Sequence, residues 1–127
     1  MTFRQPMIVE MLQTEDCPHA AEYLPRLRQL LAGAGLTESV RVRLIADLDQ
    51  ARHERFLGSP TIRINGRDVD PTADQRRQYG LSCRLYPGPD RPRGTPPDDW
   101  VLALLRRSRA NDVASEDNPP DAPGLGT

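Results

Sequence analysis

The alternation of apolar and polar positions changes period several times along the chain, and each change marks an expected element. Met7-Ile8-Val9-Glu10-Met11-Leu12-Gln13-Thr14 is a short apolar run with β-branched residues that stops at the acidic pair Glu15-Asp16, which predicts a buried strand. From Cys17 onward the spacing becomes three and four, with Tyr23, Leu24, Leu27, Leu30, Leu31 and Ala34 recurring and Glu22, Arg26, Arg28 and Gln29 between them. That spacing gathers the apolar side chains on one face of a helix. Pro18 suits its first turn and Gly33 and Gly35 its end, while Pro25 should bend it. Val40, Val42 and Leu44 then alternate with Arg41 and Arg43 before Ile45-Ala46, which predicts a second strand with one face more exposed than the other.

Asp47 and Asp49 offer N-caps for a short helix over about 49–55, which closes at Phe56-Leu57-Gly58. Residues 61–64 and 67–70 flank Asn65-Gly66, and both turn residues tolerate the positive φ of a type I′ turn, so a β-hairpin is expected. Residues 71–96 are punctuated by Pro71, Pro87, Pro89, Pro92 and Pro96 and read as a long loop wrapped on the domain, with Tyr79, Leu81, Leu85 and Tyr86 as packing anchors. A last helix opens at Thr95 or at Pro97-Asp98-Asp99. Trp100, Val101, Leu104 and Leu105 form its apolar face, and Arg106, Arg107 and Arg109 are placed near its carboxyl end, where the helix dipole favours cations. After Arg109 the chain turns to Asn, Asp, Ser, Glu, Pro and Gly. The reading is therefore one α/β domain over residues 1–109 in the order β-α-β-α-β-β-α, followed by a disordered tail over 110–127.

Composition narrows the function classes. A chain of 127 residues with 37% hydrophobic and only 5% aromatic residues allows one modest core built from Leu, Ile, Val and Ala. The formal net charge of -1 gives no drive toward nucleic-acid phosphates or anionic lipid, so neither a nucleic acid nor a membrane is assigned as a partner. All 17 basic residues are arginine, which excludes a lysine Schiff base, a P-loop lysine and a lysine general base. The first residues lack the charged and apolar regions of a signal peptide, and no apolar run approaches the ~18 residues of a membrane span. A cytoplasmic location is expected, where thiols are kept reduced. The two cysteines are then read as reactive, metal-binding or buried rather than as a structural staple.

The candidate chemistry starts at Cys17-Pro18-His19-Ala20, where a thiol stands at the amino end of a helix that follows a strand. Unpaired backbone N–H groups and the helix dipole favour an anion there, so a stabilised thiolate is expected. His19 would add to the effect if protonated, and Glu15 and Asp16 oppose it. The plain alternative is a small hydrophobe at a strand–helix junction. Gly58-Ser59-Pro60-Thr61-Ile62 leads into a strand directly after the second helix, so the Ser59-Pro60 bond is a candidate cis peptide. Cys83 lies in the long loop within Tyr79-Gly80-Leu81-Ser82-Cys83-Arg84-Leu85-Tyr86, and Arg84 is read mainly as a salt-bridge partner of Asp68 or Asp70. His53 sits among Arg52, Glu54 and Arg55 on what reads as a solvated face and receives no role. Two thiolates would also suit a soft metal such as Hg²⁺, Cu⁺ or Zn²⁺, with His19 or His53 as further ligands. No compact Cys-x-x-Cys spacing supports this, and no metal or other cofactor is assigned.

Taken together, Cys17-Pro18-His19-Ala20, Pro25 inside the following helix, and Pro60 before a hairpin resemble the thioredoxin superfamily. The resemblance covers residues 7 to about 109 and implies a central mixed four-stranded sheet flanked by helices, with Pro60 packed against the active cysteine. Ala20 stands where that family usually has its resolving cysteine, so a standard two-cysteine cycle within the box is excluded. The resemblance implies instead a monothiol or an atypical two-cysteine thiol–disulfide oxidoreductase acting through Cys17, with glutathione or Cys83 completing the exchange. The substrate would be a protein or small-molecule thiol or disulfide, held by Pro18, His19, Ser59, Pro60 and Thr61. A looser similarity, through residues 59–66 and 80–86, is to small proteins grouped with the alkylmercury lyases, although Ala20 stands where the expected acid would be. The rival to an enzyme is a non-catalytic module that binds a partner or a mercury-like ion on the same surface, and organomercurial cleavage is a third reading, ranked last.

Overall fold

Local chemistry sets the elements. The computed structural model describes residues 7–36 and 39–117, with side chains as far as Arg109. The chain runs β1 (Val9–Gln13), α1 (Pro18–Gly33), β2 (Val40–Leu44), α2 (Leu48–His53), β3 (Thr61–Ile64), β4 (Arg67–Asp68) and α3 (Asp98–Asp117), with a short 3-10 turn at Ala73–Gln75. Helix α1 runs through Pro25 and stops where Gly35 takes a φ of 79°. There the Gly35 N–H donates to the Ala32 carbonyl at 3.0 Å and the Leu36 N–H to the Leu31 carbonyl at 2.9 Å, satisfying two of the carbonyls that a helix end leaves open. Asp47 caps α2 by accepting from the Gln50 N–H at 2.8 Å. Asn65 and Gly66, with φ of 53° and 81°, make the tight turn between β3 and β4.

The strands form one mixed sheet in the order β2-β1-β3-β4, with β1 parallel to β2 and antiparallel to β3, and β3 antiparallel to β4. Register decides the faces. Val9 lies opposite Val40 and Ile64, and Met11 opposite Val42 and Ile62, so these side chains share one face. Ala20, Tyr23, Leu27 and Leu31 of α1 and Val101, Leu104 and Leu105 of α3 pack on that face to make the main core. The other face is smaller and half ionic. Leu12 meets Ile45, Ala51 and Phe56 there. Beside them, Arg43 bonds Glu10 and Glu54, and Arg63 also pairs with Glu54. The hydrogen bond from Arg43 outweighs burial and, helped by the charge of Arg63, holds the Glu54 carboxyl below the usual carboxylate range.

Three expectations need correction. Val42 and Leu44 alternate as foreseen, yet both stay about half exposed because β2 is the edge of the sheet. Helix α3 continues past Arg109 to Asp117, since the chain meets no proline or glycine in between and a polar composition lowers burial more than it lowers helicity. Arg106, Arg107 and Arg109 therefore lie in mid-helix, where the dipole argument does not reach. The rest of the expected tail, residues 118–127, and the start of the chain, residues 1–6, lie outside the described residues.

Candidate functional site

The site grows from the bend that follows α2. Phe56 and Leu57 turn into the interior and Gly58 follows with a φ of 125°, a conformation that favours glycine. A Cβ at Gly58 would stand 2.9 Å from the Ser82 carbonyl oxygen and 3.0 Å from the Arg84 Cβ, so the missing side chain is what lets residues 82–84 approach. The Ser59 N–H donates to the Ser82 carbonyl at 3.0 Å, and the Arg84 N–H donates to the Ser59 carbonyl at 3.0 Å. Ser59 and Cys83 thus face each other as a parallel bridge, and the Ser59-Pro60 peptide is cis. On its other side Ser59 accepts, through Oγ, from the Thr14 N–H at 3.1 Å. One buried serine therefore ties the chain just before Cys17 to the chain around Cys83.

The long loop is fixed by its inward side chains. Arg84 is fully buried and donates to Asp68 at 2.8 and 3.2 Å, to Asp70 at 3.2 Å and to the Thr61 hydroxyl at 3.0 Å. Burial works against its charge, but the hydrogen bonds and negative charge of Asp68, with the charge of Asp70, outweigh that and keep the guanidinium ionised. Asp70 is a similar balance. Burial alone would raise its carboxyl, but the Thr72 N–H and hydroxyl together with Arg84 and Arg76 hold it below the usual range. The Arg84 guanidinium lies 4.8 Å from the centre of the Tyr86 ring, and that ring meets Trp100 edge-on at 6.1 Å. Burial pushes the Tyr86 hydroxyl far up, so it stays protonated and donates to the Pro60 carbonyl at 2.6 Å.

The two thiols end in different surroundings. Cys17 occupies the N-cap of α1, with its carbonyl accepting from the Ala21 N–H at 3.2 Å, and its side chain is 7% exposed within the main core. Cys83 is exposed, and neither cysteine is in a disulfide. Compared with known proteins, the chain matches no family model, no curated protein and no solved structure. The reading of this site therefore rests on its own geometry.

That geometry reassigns most of the residues expected to hold substrate. Both main-chain groups of Ser59 are taken by residues 82 and 84, and the Pro60 carbonyl by Tyr86. Thr61 is buried, donating to the Gly58 carbonyl at 2.7 Å and accepting from Arg84. The edge expected to receive an extended substrate is thus occupied by residues 82–86 of the chain itself. Pro18 remains exposed, while His19 is partly covered. A Cβ on Gly94 would stand 2.6 Å from its ring, and its Nδ1 lies 4.0 Å from Glu22. His53 is exposed. Leu81 and Leu85 do not anchor the loop. Arg84 and Tyr86 do, because only they find partners inside, in two carboxylates and a carbonyl. Tyr86 anchors the loop as the sequence suggests, but its hydrogen bond to the Pro60 carbonyl was not foreseen, although a period of two runs through both Asp68/Asp70 and Arg84/Tyr86. Among the described residues no group of three or more His, Cys, Asp or Glu side chains is placed to hold a metal ion, and no helix is long and apolar enough to cross a membrane.

Proposed function

We propose that this chain is a thioredoxin-like thiol protein, an atypical two-cysteine thiol–disulfide oxidoreductase in which exposed Cys83 meets the substrate and Cys17 completes the exchange. The observation that carries the reading is the double tie of Ser59, to the chain before Cys17 through its hydroxyl and to the chain around Cys83 through its backbone. The element order and the mixed four-stranded sheet fit the same reading. In the first step the Cys83 thiolate attacks one sulfur of a substrate disulfide, forming a mixed disulfide and releasing the other substrate sulfur as a thiolate. The Cys17 thiolate then attacks the Cys83 sulfur, expelling the remaining substrate thiolate and leaving a Cys17–Cys83 disulfide. An external thiol such as glutathione, itself oxidised to its disulfide, returns the pair to the dithiol form.

The sequence reading assigns the attack to Cys17. Exposure favours Cys83, since a thiolate must be reached by its disulfide before its nucleophilicity matters. The test is reaction of the folded chain with glutathione disulfide, followed by mass spectrometry under non-reducing conditions. The intact chain should lose two hydrogens in an internal disulfide, Cys17→Ser should halt as a glutathione adduct on Cys83, and Cys83→Ser should not react. A chain that stays in the dithiol form, or a Cys83→Ser variant that reacts as fast as the intact one, overturns the proposal.

A further inference from the structure

Resting on the reading above, the geometry points to Leu81 and Leu85 as specificity-determining residues that make Cys83 selective for disulfides set in extended, apolar polypeptide. Leu85 is 65% exposed and Leu81 39%, and they bracket the thiol at a spacing of two residues. Arg84 and Tyr86 face inward, so Cys83 and Leu85 face outward by the alternation of extended chain, and Leu81 opens to solvent on the other side of the thiol. Exposed leucines are ordinary one at a time. Two on either side of an accessible thiol form a patch whose only reactive group is that sulfur.

Backbone geometry says what form the occupant takes. Ser59 pairs with the carbonyl of Ser82 and the N–H of Arg84, and successive residues of extended chain turn these groups to opposite edges. The N–H and carbonyl of Cys83 therefore point away from Ser59, to an edge where no backbone partner stands among the described residues. An incoming extended segment pairs along that edge and lays the side chains beside its own cysteine on Leu81 and Leu85. Charge says the same. The only ionised side chain between Gly80 and Leu85 is Arg84, which is buried and bound to two carboxylates. The carboxylates of glutathione disulfide find no free cation in this segment, whereas a neutral apolar segment loses nothing by covering it. Covering both leucines corresponds to roughly tenfold to a hundredfold in binding.

The experiment compares two short peptides with one cysteine each, activated as the 2-pyridyl disulfide. One has Leu and Phe beside the cysteine and the other Ser and Gly. Attack of the Cys83 thiolate on the peptide sulfur joins peptide to protein and expels pyridine-2-thiolate, whose absorbance gives the rate. The full chain should react at least tenfold faster with the apolar peptide. Leu81→Ser combined with Leu85→Ser should bring the ratio near one, whereas Val42→Ser with Leu44→Ser, a change to the equally open β2 edge, should leave it as it was. Circular dichroism shows that each variant is folded. Fast, equal release from both peptides, or a ratio that survives in the Leu81/Leu85 variant, overturns the inference and leaves the thiol-exchange reading standing. Release that is slow from both peptides, or that does not depend on Cys83, overturns the exchange reading and this inference with it.

Discussion

Ser59 bonds the chain three residues before Cys17 and the chain on both sides of Cys83, yet different physics positions the two thiols. Cys17 owes its place to its neighbours in the chain. β1 ends before it, Pro18 starts α1 after it, and the apolar stripe of that helix carries it into the main core. Cys83 owes its place to partners far along the chain. The absent side chain of Gly58, the carboxylates of Asp68 and Asp70 and the Pro60 carbonyl together hold a loop that has almost no regular structure of its own. A position set by local chain is hard to move without unfolding the element. One set by a few long-range bonds moves when a single bond is lost, and that contrast gives the strongest tests.

The largest effect is expected from Arg84→Met, which fills the space but leaves Asp68 without its buried cation and Asp70 with Arg76 as its remaining cation. Losing one partner of such a cluster costs about 3–5 kcal/mol, to be read as a lower urea midpoint for unfolding. If the unfolding free energy obtained from that curve falls by less than a tenth of this, the ion cluster does not anchor the Cys83 loop. Acid attacks the same cluster with a smaller effect. The folded-state pKa of Asp70 is depressed, so its contribution is complete above the unfolded-state value of about 3.9 and is lost as pH falls through the lower folded-state value. Stability should therefore drop more steeply below about pH 4 in the intact chain than in Asp70→Asn, and equal slopes would count against it.

Next comes the pair that compares the thiols directly. Cys17→Ser places a hydroxyl in the core and should cost about 1–2 kcal/mol, whereas Cys83→Ser at an exposed position should stay within about 0.5 kcal/mol of the intact chain. Equal losses from the two would erase the contrast. The smallest defined change is Tyr86→Phe, which removes one buried hydrogen bond to Pro60. It should cost about 1 kcal/mol in the same unfolding measurement.

Much of the frame was legible because it is written in short-range signals. The spacing of Tyr23, Leu27 and Leu31 announces α1, Asn65-Gly66 announces the hairpin, and Arg84 with Asp68 or Asp70 is a pairing that charge suggests before any coordinate. The candidate site was legible only in part. Cys17 and Cys83 stand out in the chain, but Ser59, Pro60 and Thr61 read as substrate contacts, because nothing local shows that distant parts of the chain already use their groups. Leu81 and Leu85 read as anchors because apolar residues in a loop usually turn inward, yet here Arg84 and Tyr86 satisfy stronger demands and turn the leucines out.

By itself, then, the sequence determined where helices and strands form and that a thiol begins α1, since periodicity, capping and turn chemistry act over a few residues. Tertiary structure alone decided which thiol faces solvent, which edge of the sheet stays open and which face of residues 81–86 is hidden. Those outcomes depend on hydrogen bonds and ion pairs between groups that are distant in the chain, and such pairings exist only once the sheet and its helices have brought them together.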